Sequence, residues 1–286
     1  MRHGANPAAP AWPAGGQVPV LASSAVRETV DDLRGHPRQS ALLFDIDGVL
    51  APIVPNAADA RVPHEALSLL AALARRYLVA GVISGRGMAD VDRMVPVPGI
   101  ARGGNHGLEV ARPGEPAHLV PDAQDAVARL REFVEALDAD QLAANGTWME
   151  DKGASVSLHY REAPDPARAG DWLREEVRPA AIAAGLRTRD GKMILELLPD
   201  LDVDKGTALA AMVAESGARR VLYLGDDHTD ADAWRAMREM VADGRLDHAW
   251  CVLADGPEVD PAVRAQADHA VAGTDGVIAL MRALDT

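Results

Sequence analysis

The stretch ALLFDIDGVL, residues 41–50, decides how this chain folds. Four apolar residues run without a break into Asp45 and Asp47, which flank Ile46 and precede Gly48. A continuous apolar run of this length fits a strand covered on both faces, whereas a half-exposed strand would alternate. Three more runs have the same form: YLVAGVISGR (77–86), RVLYLGDD (220–227) and AWCVLADG (249–256). Helical patterns lie between them, as at 63–76 and 205–216. This alternation predicts an α/β fold with a Rossmann-like parallel sheet. Ligands of such sheets bind beyond the carboxyl ends of the strands, and three of the four runs end there in polar clusters.

The middle of the chain reads differently. From about 113 to 199 the pattern predicts a helix over 122–137, a strand over 154–161, a helix over 166–185 and a strand over 191–199. That content, lying between sheet-forming segments, predicts an inserted α+β domain. Residues 1–20 are rich in Pro, Ala and Gly and are expected to form a flexible tail, followed by a short helix over 26–33. The expected division is 1–39 for tail and helix, 40–114 and 199–286 for the two parts of the core, and 115–198 for the insertion.

Composition narrows the partners. The 286 residues carry a net charge of −14, which argues against a nucleic-acid or anionic-membrane partner. A small anionic substrate remains compatible, because a site can be locally positive. Cys251 is the only cysteine, so no intrachain disulfide and no cysteine-ligated zinc site is expected. No apolar run approaches the roughly 20 residues of a membrane span. The first residues lack the apolar core of a signal peptide, and a soluble, cytoplasmic monomer is the default expectation.

The strand-end clusters suggest a chemistry. Asp45 and Asp47 are either a solvated strand end or a pair with divided roles, one nucleophile and one proton donor. Gly48 lets the backbone turn and present N–H groups to an anion. Ser84 is a common helix-cap type, yet with Gly85 and Arg86 it can hold a phosphoryl oxygen. Lys205 opens a predicted helix, where a cation opposes the helix dipole. It either pairs with Asp202 or Asp204 at the surface or balances buried negative charge. Asp226, Asp227, Asp230 and Asp232 fall within seven residues. Asp45, Asp47, Asp226 and Asp227 offer hard oxygen ligands suited to Mg²⁺. Thr229 or Asp230 is expected to cap the following helix, and Asp232 to sit in its first turn without a chemical role. Together these are the parts for phosphoryl transfer to an aspartate. Asp45 would attack, Asp47 would protonate the leaving oxygen, and Mg²⁺ with Lys205 would hold the phosphoryl oxygens.

DIDGV, SGR, DKG and GDDHTD occur in the order of the four motifs of the haloacid dehalogenase superfamily, which the chain resembles. GGNHGLEV (103–110), MEDKGASVSLHYR (149–161), KMILELLPDLDVDKGTAL (192–209) and YLGDDHTDADAW (223–234) are similar to trehalose-6-phosphate phosphatases. The resemblance spans about residues 40–280. It implies a hydrolase core with a mobile cap at 115–198, and a sugar phosphate as substrate. It also implies that cap residues Glu150, Lys152, Arg161, Lys192 and Glu196 read sugar hydroxyls. Asn105, His106 and Glu109 match the segment running from core toward cap. Taken one at a time, each cap charge reads equally as a solvated strand face. The histidines His106, His159 and His228 read as structural, since Asp47 already serves as acid and base.

Three positions depart from the family pattern: Val49 stands where Thr is common, Leu198 where many relatives carry Arg, and Ala231 where an acid is usual. The first reading is therefore a Mg²⁺-dependent trehalose-6-phosphate phosphatase. The alternatives are a phosphatase for another disaccharide phosphate, a non-catalytic sugar-phosphate-binding regulator, and a phosphomutase.

Overall fold

All five residues of the strand Ser40–Phe44 are buried, as expected for an apolar run with no polar face. The computed structural model describes residues 23–54 and 57–286, so the tail expected over 1–20 lies outside the described residues. In chain order the strands are β1 Ser40–Phe44, β2 Val79–Ile83, β3 Ala101–Gly104, β4 Glu109–Ala111, β5 His118–Leu119, β6 Trp148–Asp151, β7 Val156–His159, β8 Leu186–Gly191, β9 Ile194–Pro199, β10 Arg220–Gly225, β11 His248–Asp255 and β12 His269–Ala272.

Eight strands form one sheet in the order β12-β11-β10-β1-β2-β3-β4-β5. Its first six strands pair in parallel, and β4 and β5 close one edge antiparallel. Helices cover both faces. Leu42 and Phe44 pack against Leu70 and Leu73 of the helix His64–Arg76 and Leu284 of the helix Gly273–Asp285. Ala41 and Leu43 face the other way, toward Leu209 of Lys205–Ser216 and Trp234 of His228–Ala242.

The register sets up the site. Phe44 stands opposite Leu224 on one side and Val82 on the other, so β1, β10 and β2 end level. Asp45, Asp226 and Ser84 therefore emerge on one edge. The Asp45 N–H donates to Leu224 O at 2.9 Å, which holds the first aspartate in line with the strand.

β6, β7, β9 and β8 form a second, antiparallel sheet in that order. Val156, Leu158, Leu195 and Leu197 point to one side and pack with Leu130, Leu173 and Val177 from the helices that cover it. The alternate residues, including Ser157, His159 and Glu196, face the carboxyl edge of the large sheet. The helix expected over 166–185 runs from Pro166 to Ala183, with a widened turn at Leu173–Val177. That turn precedes Pro179, which has no N–H to give to a regular helix.

Several strands escape the apolar-run signal. β3 is half glycine, β6 is half charged, β8 is mostly polar, and β4, β5 and β12 are four residues or shorter. β5 also lies inside the segment 115–198, yet pairs with β4 in the large sheet. The chain thus leaves that sheet only after Leu119. Among the described residues no helix is long and apolar enough to cross a membrane.

Phe44 is fully buried one residue before Asp45. Phe44→Ala is expected to cost about 3–5 kcal/mol of unfolding free energy, as large-to-small core changes do, measured by urea titration. A loss below about 1 kcal/mol would mean that β1 is not the packed centre of the sheet.

Candidate active site

The level strand ends bring charges together that the sequence keeps far apart. Lys205 begins its helix, but its side chain turns inward and is 2% exposed. Its Nζ lies 3.0 Å from Asp45 Oδ2 and 2.6 Å from Asp230 Oδ1. Surface pairing with Asp202 or Asp204 is therefore not what Lys205 does. Asp204 instead caps the helix, accepting the Thr207 N–H at 2.8 Å. Burial alone would lower the Lys205 pKa, but Asp230 and Asp45 outweigh it and hold the ammonium well above its ordinary value.

Asp230 is a buttress and the inner partner of the helix's capping box, not its N-cap. It is fully buried, and each of its oxygens accepts two hydrogen bonds. Oδ1 takes them from Lys205 Nζ and, at 2.7 Å, from the Tyr223 hydroxyl. Oδ2 takes them from the backbone N–H groups of Asp226 and Asp227 at 2.9 and 3.1 Å. The cap of His228–Ala242 is Asp227, which accepts the His228 N–H at 2.6 Å. Neither Thr229 nor Asp230 takes that position. Gly225 suits its place in the turn, because a Cβ there would run into the Asp230 carboxylate.

Asp45 is 5% exposed, and its Oδ1 has no hydrogen-bond partner. Burial raises its pKa; Lys205 opposes this, while Asp230 and Asp226 add to it. Asp226 is pushed up to about 7, first by burial and then by Asp230. Asp45, Asp226 and Asp230 crowd one edge, and the raised pKa values of Asp45 and Asp226 mark a cation site in charge terms. One oxygen each from Asp45, Asp226 and Asp230 lie within 4.8 Å of one another. Asp230 is already saturated with donors, which leaves Asp45 and Asp226 to hold a metal. Asp227 stands outside this group, exposed at the helix cap. Gly48 has φ of +76°, and a Cβ there would overlap the Asp226 carboxylate, so glycine is required where the loop meets the acid.

Asp47 is also outside the carboxylate group. Arg86 grips it with a two-pronged contact, Nε to Oδ2 at 2.6 Å and Nη2 to Oδ1 at 2.7 Å. Arg86 Nη2 also donates to Ala57 O at 3.0 Å. The buried Ser84 accepts the Arg86 N–H on its Oγ at 3.3 Å. Gly85 is tight against the His106 ring, which a Cβ would strike.

The second sheet closes over this edge. Asn105 and His106 both have positive φ, 49° and 57°, which turns the chain sharply after β3. Asn105 is buried and ties the two sheets together. It donates to Lys152 O at 2.7 Å and to Glu109 Oε2, and accepts the Ser155 hydroxyl at 2.6 Å. Glu109 also accepts the Met88 N–H at 3.2 Å. Lys152 Nζ reaches Glu196 Oε1 at 3.2 Å, and His106 Nε2 lies 3.7 Å from Glu196 Oε2. Burial raises the Glu196 carboxyl, but His106 and Lys152 outweigh it and hold it at about 2. At 3.7 Å the imidazole is beyond hydrogen-bond length, and burial lowers its pKa, so we assign the pairing chiefly to the Lys152 cation. Glu150 accepts from His159 Nε2 at 2.8 Å.

Two of the expected residues sit elsewhere. Lys192 is exposed and pairs with Glu258 at 2.6 Å, and the exposed Arg161 donates to Lys192 O at 3.2 Å. Both lie at the rim of the small sheet, not on the wall with Glu150, Lys152 and Glu196. Sequence reasoning missed Tyr223 and Ser155. Tyr223 reads as one more apolar strand residue, and Ser155 as a strand-end polar residue; neither carries a local signal.

A model of the family described as trehalose-phosphatase matches residues 43–252. A protein of Mycobacterium avium named trehalose-phosphate phosphatase is 39% identical over 222 residues, covering 76% of this chain and 56% of that protein. The chain thus spans little more than half the length of that relative. The C-terminal domain of C. albicans trehalose-6-phosphate phosphatase superposes with a TM-score of 0.73 at 20% identity, over 91% of this chain and 96% of that one, which speaks to the fold. A structure of Aspergillus fumigatus trehalose-6-phosphate phosphatase gives 0.62 at 25% identity, over 91% and 97%.

Two outcomes are expected from the buried charges. Asp230→Asn replaces two accepting positions with donors that face donors, and should cost about 3–5 kcal/mol in urea unfolding, as breaking a buried pair does. A loss below about 1 kcal/mol would remove Asp230 from its buttress role. The second concerns acid. The Glu196 carboxyl is held down at about 2 from its ordinary 4.5, so its stabilisation is present above pH 4.5 and fades as the pH falls toward 2. Unfolding free energy should therefore drop less steeply below pH 4.5 in Glu196→Gln than in the wild type; equal slopes would contradict the pairing.

Proposed function

Because the chain belongs to the trehalose-phosphatase family, we propose that it hydrolyses trehalose 6-phosphate to trehalose and phosphate through an aspartyl phosphate on Asp45. The observation that carries this reading is the buried Asp45 with its unpartnered Oδ1, beside the Lys205 ammonium and the Asp226 carboxylate. An oxygen that is buried, negative and free of donors is a nucleophile in waiting.

Asp45 Oδ1 attacks phosphorus, and the bond from phosphorus to the sugar 6-oxygen breaks. Asp47 gives that oxygen its proton. A water then loses a proton to Asp47 and attacks the aspartyl phosphate, releasing phosphate and restoring Asp45. Lys205 and the Ser84 hydroxyl hold phosphoryl oxygens throughout. Both Asp47 oxygens are gripped by Arg86 here, so Arg86 exchanges Asp47 for the incoming anionic substrate before the proton moves. Asp45 and Asp226 would hold Mg²⁺, which, when bound, neutralises charge on the phosphoryl group. The raised pKa values of both acids fit that donor set, since a divalent cation relieves the crowding of negative charge.

In this reading the small sheet and its helices are a cap over the core. Glu150, Lys152 and Glu196 offer acceptors and donors to sugar hydroxyls, and the closed cap keeps bulk water from the phosphoryl group.

The test is phosphate release from trehalose 6-phosphate. We expect turnover with Mg²⁺, its loss in EDTA, and its loss in Asp45→Asn. Asp47→Asn should lower kcat by about 10²- to 10⁴-fold, the range for a general acid. Activity that survives EDTA or Asp45→Asn would overturn the mechanism. A higher kcat/KM for another disaccharide phosphate in the same panel would replace the sugar and keep the chemistry.

A further inference from the structure

The small sheet carries a line of side chains that motif reading does not connect. Glu150 pairs in register with Ser157, Ser157 with Glu196, and Glu196 with Arg189. These four residues form one transverse row across all four strands, on the side opposite the Leu158–Leu197 core. Three inter-strand spacings make the row roughly 14 Å long, enough to run beside two linked pyranose rings. Its chemistry is acid, hydroxyl, acid, guanidinium. That mixture suits a neutral polyol, whose hydroxyls both donate and accept.

Two atoms in the row lack a partner although they are buried: Ser157 Oγ, in a residue with no exposure, and Arg189 Nη1. A buried donor or acceptor left unpaired costs free energy, so such atoms call for a partner, which a ligand hydroxyl or a water supplies. A second row lies beside the first. Trp148 stacks on His159 with ring centroids 4.0 Å apart and planes 4° from parallel, and His159 is in register with Ile194. Trp148 is 48% exposed, so its indole retains free surface. A polar row next to an aromatic and aliphatic step matches a pyranose, which has hydroxyls at its rim and C–H groups on its faces.

The row has a direction. A Cβ on Gly87 would strike the Lys152 backbone, so the end of the strand that carries Glu150 lies against the loop whose Arg86 grips Asp47, on the side of the reacting phosphoryl group. Arg189 lies three strands away from it.

We infer that Arg189 is a specificity-determining residue that binds hydroxyls of the sugar ring remote from the ester, at the far end of a row sized for a disaccharide. This inference rests on the sugar-phosphatase reading above. Nothing in the chemical step uses Arg189, whose charge otherwise helps keep the neighbouring Glu196 ionised, so its loss acts on the sugar-binding row.

The experiment compares wild type, Arg189→Met and Arg189→Lys on trehalose 6-phosphate, glucose 6-phosphate and p-nitrophenyl phosphate, with the melting temperature of each protein recorded. For Arg189→Met we expect kcat/KM on trehalose 6-phosphate to fall roughly 10- to 100-fold, mostly through KM, the loss typical of a charged hydrogen bond. Glucose 6-phosphate and p-nitrophenyl phosphate should be turned over as by the wild type, and Arg189→Lys should recover part of the loss. Equal losses on all three esters, or a fall in kcat without a change in KM, would overturn the inference. So would an unchanged KM for the disaccharide ester. If the wild type prefers a different disaccharide phosphate, the sugar assigned above is wrong. The same comparison on that ester against p-nitrophenyl phosphate then decides the role of Arg189.

Discussion

The structure depends on one buried cation. Lys205 is almost wholly removed from water and survives there because Asp45 and Asp230 stand 3.0 and 2.6 Å from its ammonium. A lone ammonium in that place would be strongly disfavoured. Asp230 in turn is held by Tyr223 and by two backbone N–H groups at the end of β10. The charge network therefore ties β1, β10 and two helices into one assembly. It also decides which aspartate keeps an open oxygen. Asp230 spends every lone pair on the network, whereas Asp45 gives Lys205 one oxygen and keeps the other without a partner.

Function follows from how the two sheets meet. The large parallel sheet presents the reactive groups at its carboxyl edge, where strand register levels them. The small antiparallel sheet presents a face of alternate polar residues to that edge, because its other face is committed to an apolar core. Asn105 joins the two by bonding Glu109 on one side and Ser155 and Lys152 on the other.

Much of this was legible in the residues. The apolar runs marked β1, β2, β10 and β11, and the helix 205–216 has the bounds its pattern suggests. Asp45, Ser84 and Asp226 were singled out by their places at strand ends and Lys205 by its place at the start of a helix, and the structure brings them to one edge. The short or polar strands were not legible. β3 and β6 owe their conformation to neighbours that supply hydrogen-bond partners, a tertiary effect that overrides weak local preference. Lys192 and Arg161 matched sugar-reading positions by resemblance, yet they sit at the rim, because a turn after β8 carries Lys192 toward Glu258.

By itself, the sequence determined that a parallel sheet forms, that acids and a serine stand at its strand ends, and that a lysine opens one of its helices. Those properties are local: apolar periodicity and the polar residue that ends each run. Tertiary structure alone decided which acid does what. Asp230 became a buttress, Asp227 a cap, and Asp47 the partner of Arg86, while Asp45 kept an open oxygen. The reason is that a carboxylate's role depends on the donors within about 3 Å of it. Here those donors come from residues as distant in sequence as Asp47 and Arg86, or Lys205 and Asp230.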